Sequence, residues 1–240
     1  MSTASSYRLL TTFEGIFRNG PYLHRDSTLG NLVAAQLYED LYTLDKSRKL
    51  VERIESKRNA INVSGGLTGI NARRADGTFG ERNPSVAAMD EPGYVVARSH
   101  LATIEVGVEV KILMKAMIKQ IDRVIGDMKK QVEEFRQGGG NPISVGIVGI
   151  NHAEQTTSYE GARQHPTDGK AHKHPIQEAS KAKARLEQHA RPSFDEFLFL
   201  EFKAPNVDPF SFAWLNPTAT LQEYGAVLTR ISRKYDGRFE

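Results

Sequence analysis

Glu109 and Lys111 stand two positions apart in IEVGVEVKI (104–112), a stretch in which valine recurs at every second residue. In an extended strand, residues two apart share a face. Glu105, Glu109 and Lys111 are therefore expected to project together, away from Val106, Val108 and Val110, with Gly107 leaving space between the carboxylates. Buried charge without a partner is expensive. Two arrangements satisfy that rule: a structural Glu109–Lys111 ion pair, or a divalent cation held by carboxylates with Lys111 beside a metal-bound water.

The acidic-x-lysine spacing recurs, among other places, at Glu55–Lys57, Asp127–Lys129 and Glu201–Lys203. Glu55 and Asp127 fall in helical periodicity, where residues two apart do not face one another. Glu201–Lys203 lies in a strand-like run, FLFLEFKAP, but a proline loop follows it. Glu109–Lys111 is the better candidate and Glu201–Lys203 the alternative.

The elements that must position these groups follow from periodicity. STLGNLVAAQLYEDLYTLD (27–45) carries a helical apolar stripe with Ser27 as its N-cap, and KSRKLVERIESKRNAI (46–61) continues it or forms a second helix. The glycines of 63–84 read as a loop. GYVVAR (93–98) and LATIEVGVEVKIL (101–113) are predicted to pair as a hairpin turning at SHLAT. Residues 113–137 form a long amphipathic helix stopped by GGG (138–140). PISVGIVGI (142–150) reads as a strand covered on both faces. FDEFLFLEFKA (194–204) is a further strand and 218–235 a final helix. A strand–helix–strand passage implies a parallel crossover. The fold class is α/β: a mixed central sheet, hairpin plus parallel crossover, flanked by helices. One domain spans 1–240, with a polar, basic insertion at about 151–193 holding a short helix near 176–190.

This order resembles the PD-(D/E)xK nuclease superfamily, which includes many type II restriction endonucleases. The resemblance is carried by VGVEVKIL (106–113), the long helix after it and PISVGIVGI. It implies a restriction-endonuclease-like core of helix, three strands, helix and strand, with the D/E-x-K residues on the third strand. It also implies an acidic residue on or just before the preceding strand. That position falls to Asp90 in AAMDEPGYVV, with Glu91 and Glu105 as substitutes; Met89, rather than proline, precedes Asp90. Some members add a glutamate from the first helix, here Glu39. By the resemblance, Asp90, Glu109 and the carbonyl of Val110 would hold Mg²⁺. Such an ion activates water and neutralises charge on the scissile phosphate, and Lys111 would stabilise the transition state. The resemblance further implies a homodimer, since palindromic sites match two-fold symmetry.

Composition fits that reading without requiring it. The 240 residues include no cysteine, which excludes thiolate chemistry and leans the chain towards a cytoplasmic setting. The first residues lack the apolar core of a signal peptide, and no apolar run approaches a membrane span. Net charge is only +3, but positive charge is clustered. Arg73, Arg74 and Arg82 lie in one glycine-punctuated loop, and Lys170, Lys173, Lys181 and Lys183 in the insertion. These are the candidate contacts to double-stranded DNA, since phosphate binding needs local positive charge. No Walker lysine or GxSxG elbow accompanies the glycines. The functional expectation is a Mg²⁺-dependent endonuclease. The alternatives are a nuclease-like fold that binds DNA or a partner without cutting, and an unrelated α/β protein whose strand charges pair structurally.

Overall fold

The computed structural model describes residues 7–23, 26, 28–63, 76–137, 140–161 and 163–239. Its centre is the apolar run foreseen at 142–150. All nine residues of this strand, β5 (Ile143–Asn151), are buried. On one side it pairs in parallel with β4 (Val106–Leu113), and on the other with β8 (Glu196–Lys203). Strands β4 and β5 are joined by α4 (Met117–Gln137), and β5 and β8 by α5 (Pro175–His189). Among the described residues the sheet is mixed and seven-stranded, in the order β3-β1-β2-β4-β5-β8-β9. Its remaining members are β1 (Asn59–Asn62), β2 (Gly77–Glu81), β3 (Arg98–Ser99) and β9 (Ala213–Trp214). A separate two-stranded ribbon, β6 (Thr157–Glu160) and β7 (Arg163–Pro166), stands apart from it.

Helices cover both faces. On one, Met117, Ile121, Val124 and Met128 of α4 and Ala179, Ala182 and Leu186 of α5 pack with Leu113, Val148, Ile150 and Phe197. On the other lie α1 (Arg8–Arg18), α2 (Thr28–Leu44), α3 (Arg48–Glu55) and α6 (Pro217–Arg238), whose apolar residues meet Val106, Val108, Val110, Ile147 and Leu200. None of the helices described is long and apolar enough to cross a membrane.

Three sequence-based expectations change. The antiparallel neighbour of β4 is β2, not 93–98, with Gly77 opposite Val108 and Phe79 opposite Val106. Of 93–98 only Arg98 is in a strand, and β3 lies at the sheet edge. The glycines that make β2 read as loop are there for close approach. A Cβ on Gly77 would sit 2.5 Å from the Ala34 side chain, and one on Gly80 2.2 Å from the Thr103 carbonyl oxygen. Next, the helix expected to reach residue 61 ends at Glu55; Lys57, at φ 53°, turns the chain into β1. Finally, the helix expected near 176–190 is present as α5, but it is a crossover helix whose alanine stripe is buried against the sheet. It begins at a capping box of His174 and Gln177.

Candidate functional site

The site lies where β4 emerges from the sheet beneath α4. Glu109 is buried, and its carboxylate accepts a hydrogen bond from the Lys111 ammonium, so the two residues do share a face. Extending the β2–β4 register one residue beyond the Gly77–Val108 pair sets Asp76 beside Glu109. The main-chain N–H of Val110 donates to Asp76 Oδ2 at 2.8 Å. Helix α2 closes over this carboxylate at Gly30, where a Cβ would stand 2.3 Å from Asp76 Oδ1; only glycine permits that approach.

The electrostatics mark the cluster as short of positive charge. Burial first, and then the neighbouring Asp76 carboxylate, raise the Glu109 pKa to about 7, with Lys111 opposing the rise. Burial works to lower the Lys111 pKa, but the charges of Glu109, Asp76 and Asp127 outweigh it and the lysine titrates above its ordinary value. Asp127 reaches the cluster from α4 and lies 3.7 Å from Arg123.

A cavity of about 260 Å³ opens beside the cluster, lined by Asp26, Gly30, Asp76, Val110, Lys111 and Arg123 among others, with the Glu109 carboxylate buried behind Lys111. A second, of about 500 Å³, shares Tyr22, Ile112, Gln120 and Arg123 with it and runs on to Lys115 and Ser158. Together they form a trench along the end of the sheet. Asp76, Glu109 and the Val110 carbonyl offer hard oxygen donors. No group of three or more Asp, Glu or His side chains among the described residues is arranged to hold a metal. Mg²⁺ asks for less: it usually keeps several waters and takes one or two carboxylates plus substrate phosphates. The donor set therefore fits that ion.

The other sequence candidates lie elsewhere. Asp90 is paired with Lys57 at 2.7 Å on the surface. Its neighbour Met89 bridges β3 on the side away from β1. Strands β3, β1 and β2 thus separate Asp90 from β4, roughly 20 Å at ordinary strand spacing. Glu91 is paired with Arg98 at 2.7 Å. Glu105 does not share a face with Glu109, because the chain bends there before β4 begins. Its carboxylate is turned into the opposite layer, bonded by Arg53 (2.7 Å), Asn59 and Tyr235. Glu39 accepts from the N–H groups of Val95 and Val96 and pairs with Arg8 at 3.0 Å. It pins the loop before β3 and has no contact with Asp76, Glu109 or Lys111 among its hydrogen bonds and ion pairs described.

Glu201 faces Lys183 (2.7 Å) and His152 (3.0 Å) rather than a second carboxylate, while Lys203 is exposed. That leaves Glu201–Lys203 without the acidic partner the chemistry needs. Of the basic residues, Arg82 donates to the carbonyls of Lys57 and Val86, and Lys183 is held by Glu201. Lys170, Lys173 and Lys181 are exposed. Arg73 and Arg74 lie outside the described residues. Besides Lys111, Arg123 lines the smaller cavity and Lys115 the larger one; both come from the α4 approach and were not singled out by the sequence.

Comparisons with protein-family models, curated proteins and solved structures return no match.

Proposed function

We propose that this protein is a Mg²⁺-dependent endonuclease that hydrolyses phosphodiester bonds of double-stranded DNA, of the restriction-endonuclease-like kind, working in the cytoplasm. One observation carries the reading. Asp76, directly before β2, and Lys111 line a polar cavity open to solvent, with the buried Glu109 behind them, bonded to Lys111 on the adjacent strand. The succession α3, β1, β2, β4, α4, β5 supports it, since it has the helix, three strands, helix and strand that the resemblance implies. The two-residue β3 is an edge addition.

Asp76, Glu109 and the Val110 carbonyl would hold the cation, which when bound supplies charge neutralisation on the scissile phosphate and an acidified water. Lys111 is placed to donate to the attacking or departing oxygen as negative charge builds there. Glu109 must be ionised to act as a ligand, so its raised pKa ties function to pH above about 7. Lys115 and Arg123 line the trench on the side from which a phosphate backbone would approach.

The test is plasmid cleavage with and without Mg²⁺, for the wild type and Lys111→Ala. Mg²⁺-dependent scission by the wild type, lost in the variant, is the expected result. Equal cutting by both would end this reading. Duplex binding without scission at any Mg²⁺ concentration would favour an inactive, DNA-binding member of the same fold. A homodimer, matched to a palindromic site, belongs to the same proposal and is read by sedimentation with and without duplex.

A further inference from the structure

The β6–β7 ribbon is built unlike the rest of the chain. Every residue of β7 is exposed, and an isolated two-stranded hairpin is marginal in water. Yet its base is fixed firmly. Thr157 N–H donates to the Pro205 carbonyl, and Asn206 Nδ2 to that of Thr157. Thr156 and Thr167 bond each other through main chain and hydroxyl, and the Thr167 hydroxyl contacts His174 Nδ1. Gly161, at φ 58°, allows the tight reversal between the strands.

The register decides which side chains look which way. Ser158 is opposite His165, and Glu160 opposite Arg163, so these four share a face. Ser158 lines the larger cavity, and Glu160 is near enough to Lys115 to act on its charge. Thr157 lines that cavity too, so the base of the ribbon borders the trench that leads to Asp76 and Lys111, and on the Ser158–Glu160 face His165 Nε2 lies 3.9 Å from Glu160 Oε2. Tyr159 and Gln164 share the other face.

We propose that the β6–β7 ribbon enters the major groove of duplex DNA bound along the trench, and that Arg163 and His165 read base edges there. The inference rests on the nuclease reading and extends it to sequence preference. The major groove admits a two-stranded ribbon, and arginine pairs bidentately with guanine O6 and N7. Exposed Lys170 and Lys173, in the loop that follows, supply positive charge for the flanking phosphates.

The test is selection of duplexes from a randomised library, with metal chelated, by the wild type, Arg163→Ala, His165→Ala and Lys173→Ala. Because these side chains are exposed, the variants should fold. The wild type should enrich a consensus containing guanine. Arg163→Ala should lose preference for guanine at one position and bind the wild-type consensus about tenfold or more weakly, with His165→Ala relaxing an adjacent position. Lys173→Ala should weaken all sequences alike and lower the salt slope by about 1. Enrichment of an unchanged consensus by Arg163→Ala would overturn the proposal, as would a uniform loss with reduced salt slope. A wild type that cuts and binds duplexes without any consensus would overturn the ribbon's role while leaving the endonuclease reading intact. Failure to bind duplex at all would remove both.

Discussion

Asp76 and Val110 are joined by a 2.8 Å hydrogen bond from main-chain N–H to carboxylate, across neighbouring strands and 34 positions of sequence. That bond holds one carboxylate against the strand that presents the other, and under the nuclease proposal it makes Asp76, rather than Asp90, the aspartate to test.

Asp76→Asn should keep the fold and lower Mg²⁺-dependent cleavage by at least about 100-fold, the scale of losing one strong electrostatic contributor. Asp90→Asn, at a residue paired with Lys57 on the surface, should stay near wild-type activity. Plasmid nicking rates at saturating Mg²⁺ check both. Comparable losses in the two variants would return the site to Asp90.

The raised pKa of Glu109 makes stability depend on pH in a definite direction. In the folded protein Glu109 holds its proton up to about 7, against 4.5 for the ordinary group. Its contribution is thus fully present below 4.5 and lost as pH rises through 7, by up to about 3 kcal/mol. Glu109→Gln should flatten this part of the stability profile. Mg²⁺ should raise Tm more at pH 8 than at pH 6, because binding requires the ionised carboxylate. Thermal melts across pH, with and without Mg²⁺, measure both effects.

Glu105→Ala should destabilise the protein by about 3–5 kcal/mol, since it strands the buried Arg53 guanidinium that pairs with it. Urea denaturation would read this loss. A change under about 1 kcal/mol would mean that the cluster of Arg53, Asn59 and Tyr235 rearranges freely. Glu105→Gln, which keeps much of the hydrogen bonding, should cost less.

Gly80→Ala should cost about 1–3 kcal/mol, because its methyl would need the space held by the Thr103 carbonyl. Gly126→Ala, in open space on α4, should be neutral or slightly stabilising. Midpoints of chemical denaturation for the pair distinguish a packing glycine from a permissive one.

The sequence made β4, α4 and β5 legible because their periods are long and unambiguous: alternating valines, a helical stripe, then an unbroken apolar run. Glu109 and Lys111 followed from that. Asp76 did not, because GTFGE carries no alternation, and glycines that serve packing are indistinguishable in sequence from glycines that serve turns. The apolar GYVVAR attracted the strand assignment instead, although Val95 is 51% exposed there. The signal available was an aspartate directly before a short glycine-containing segment able to pair with β4. Glu105 escaped its face because a bend, invisible to a period-2 pattern, precedes the strand. Alanines 179 and 182 gave no strong apolar stripe, so the helix expected near 176–190 reads as part of a polar insertion, whereas these alanines are packed into the core.

Strand β4 is clasped on both sides, by β2 in antiparallel and by β5 in parallel over eight paired positions from Val106 to Leu113. A slip of one residue would drive Glu109 into the valine layer and swing the valines out. The Asp76, Glu109 and Lys111 cluster therefore has no lifetime outside the fully registered sheet. Catalysis, if measured along a denaturation curve, would count native molecules only, and its loss should superimpose on the loss of the sheet's circular dichroism.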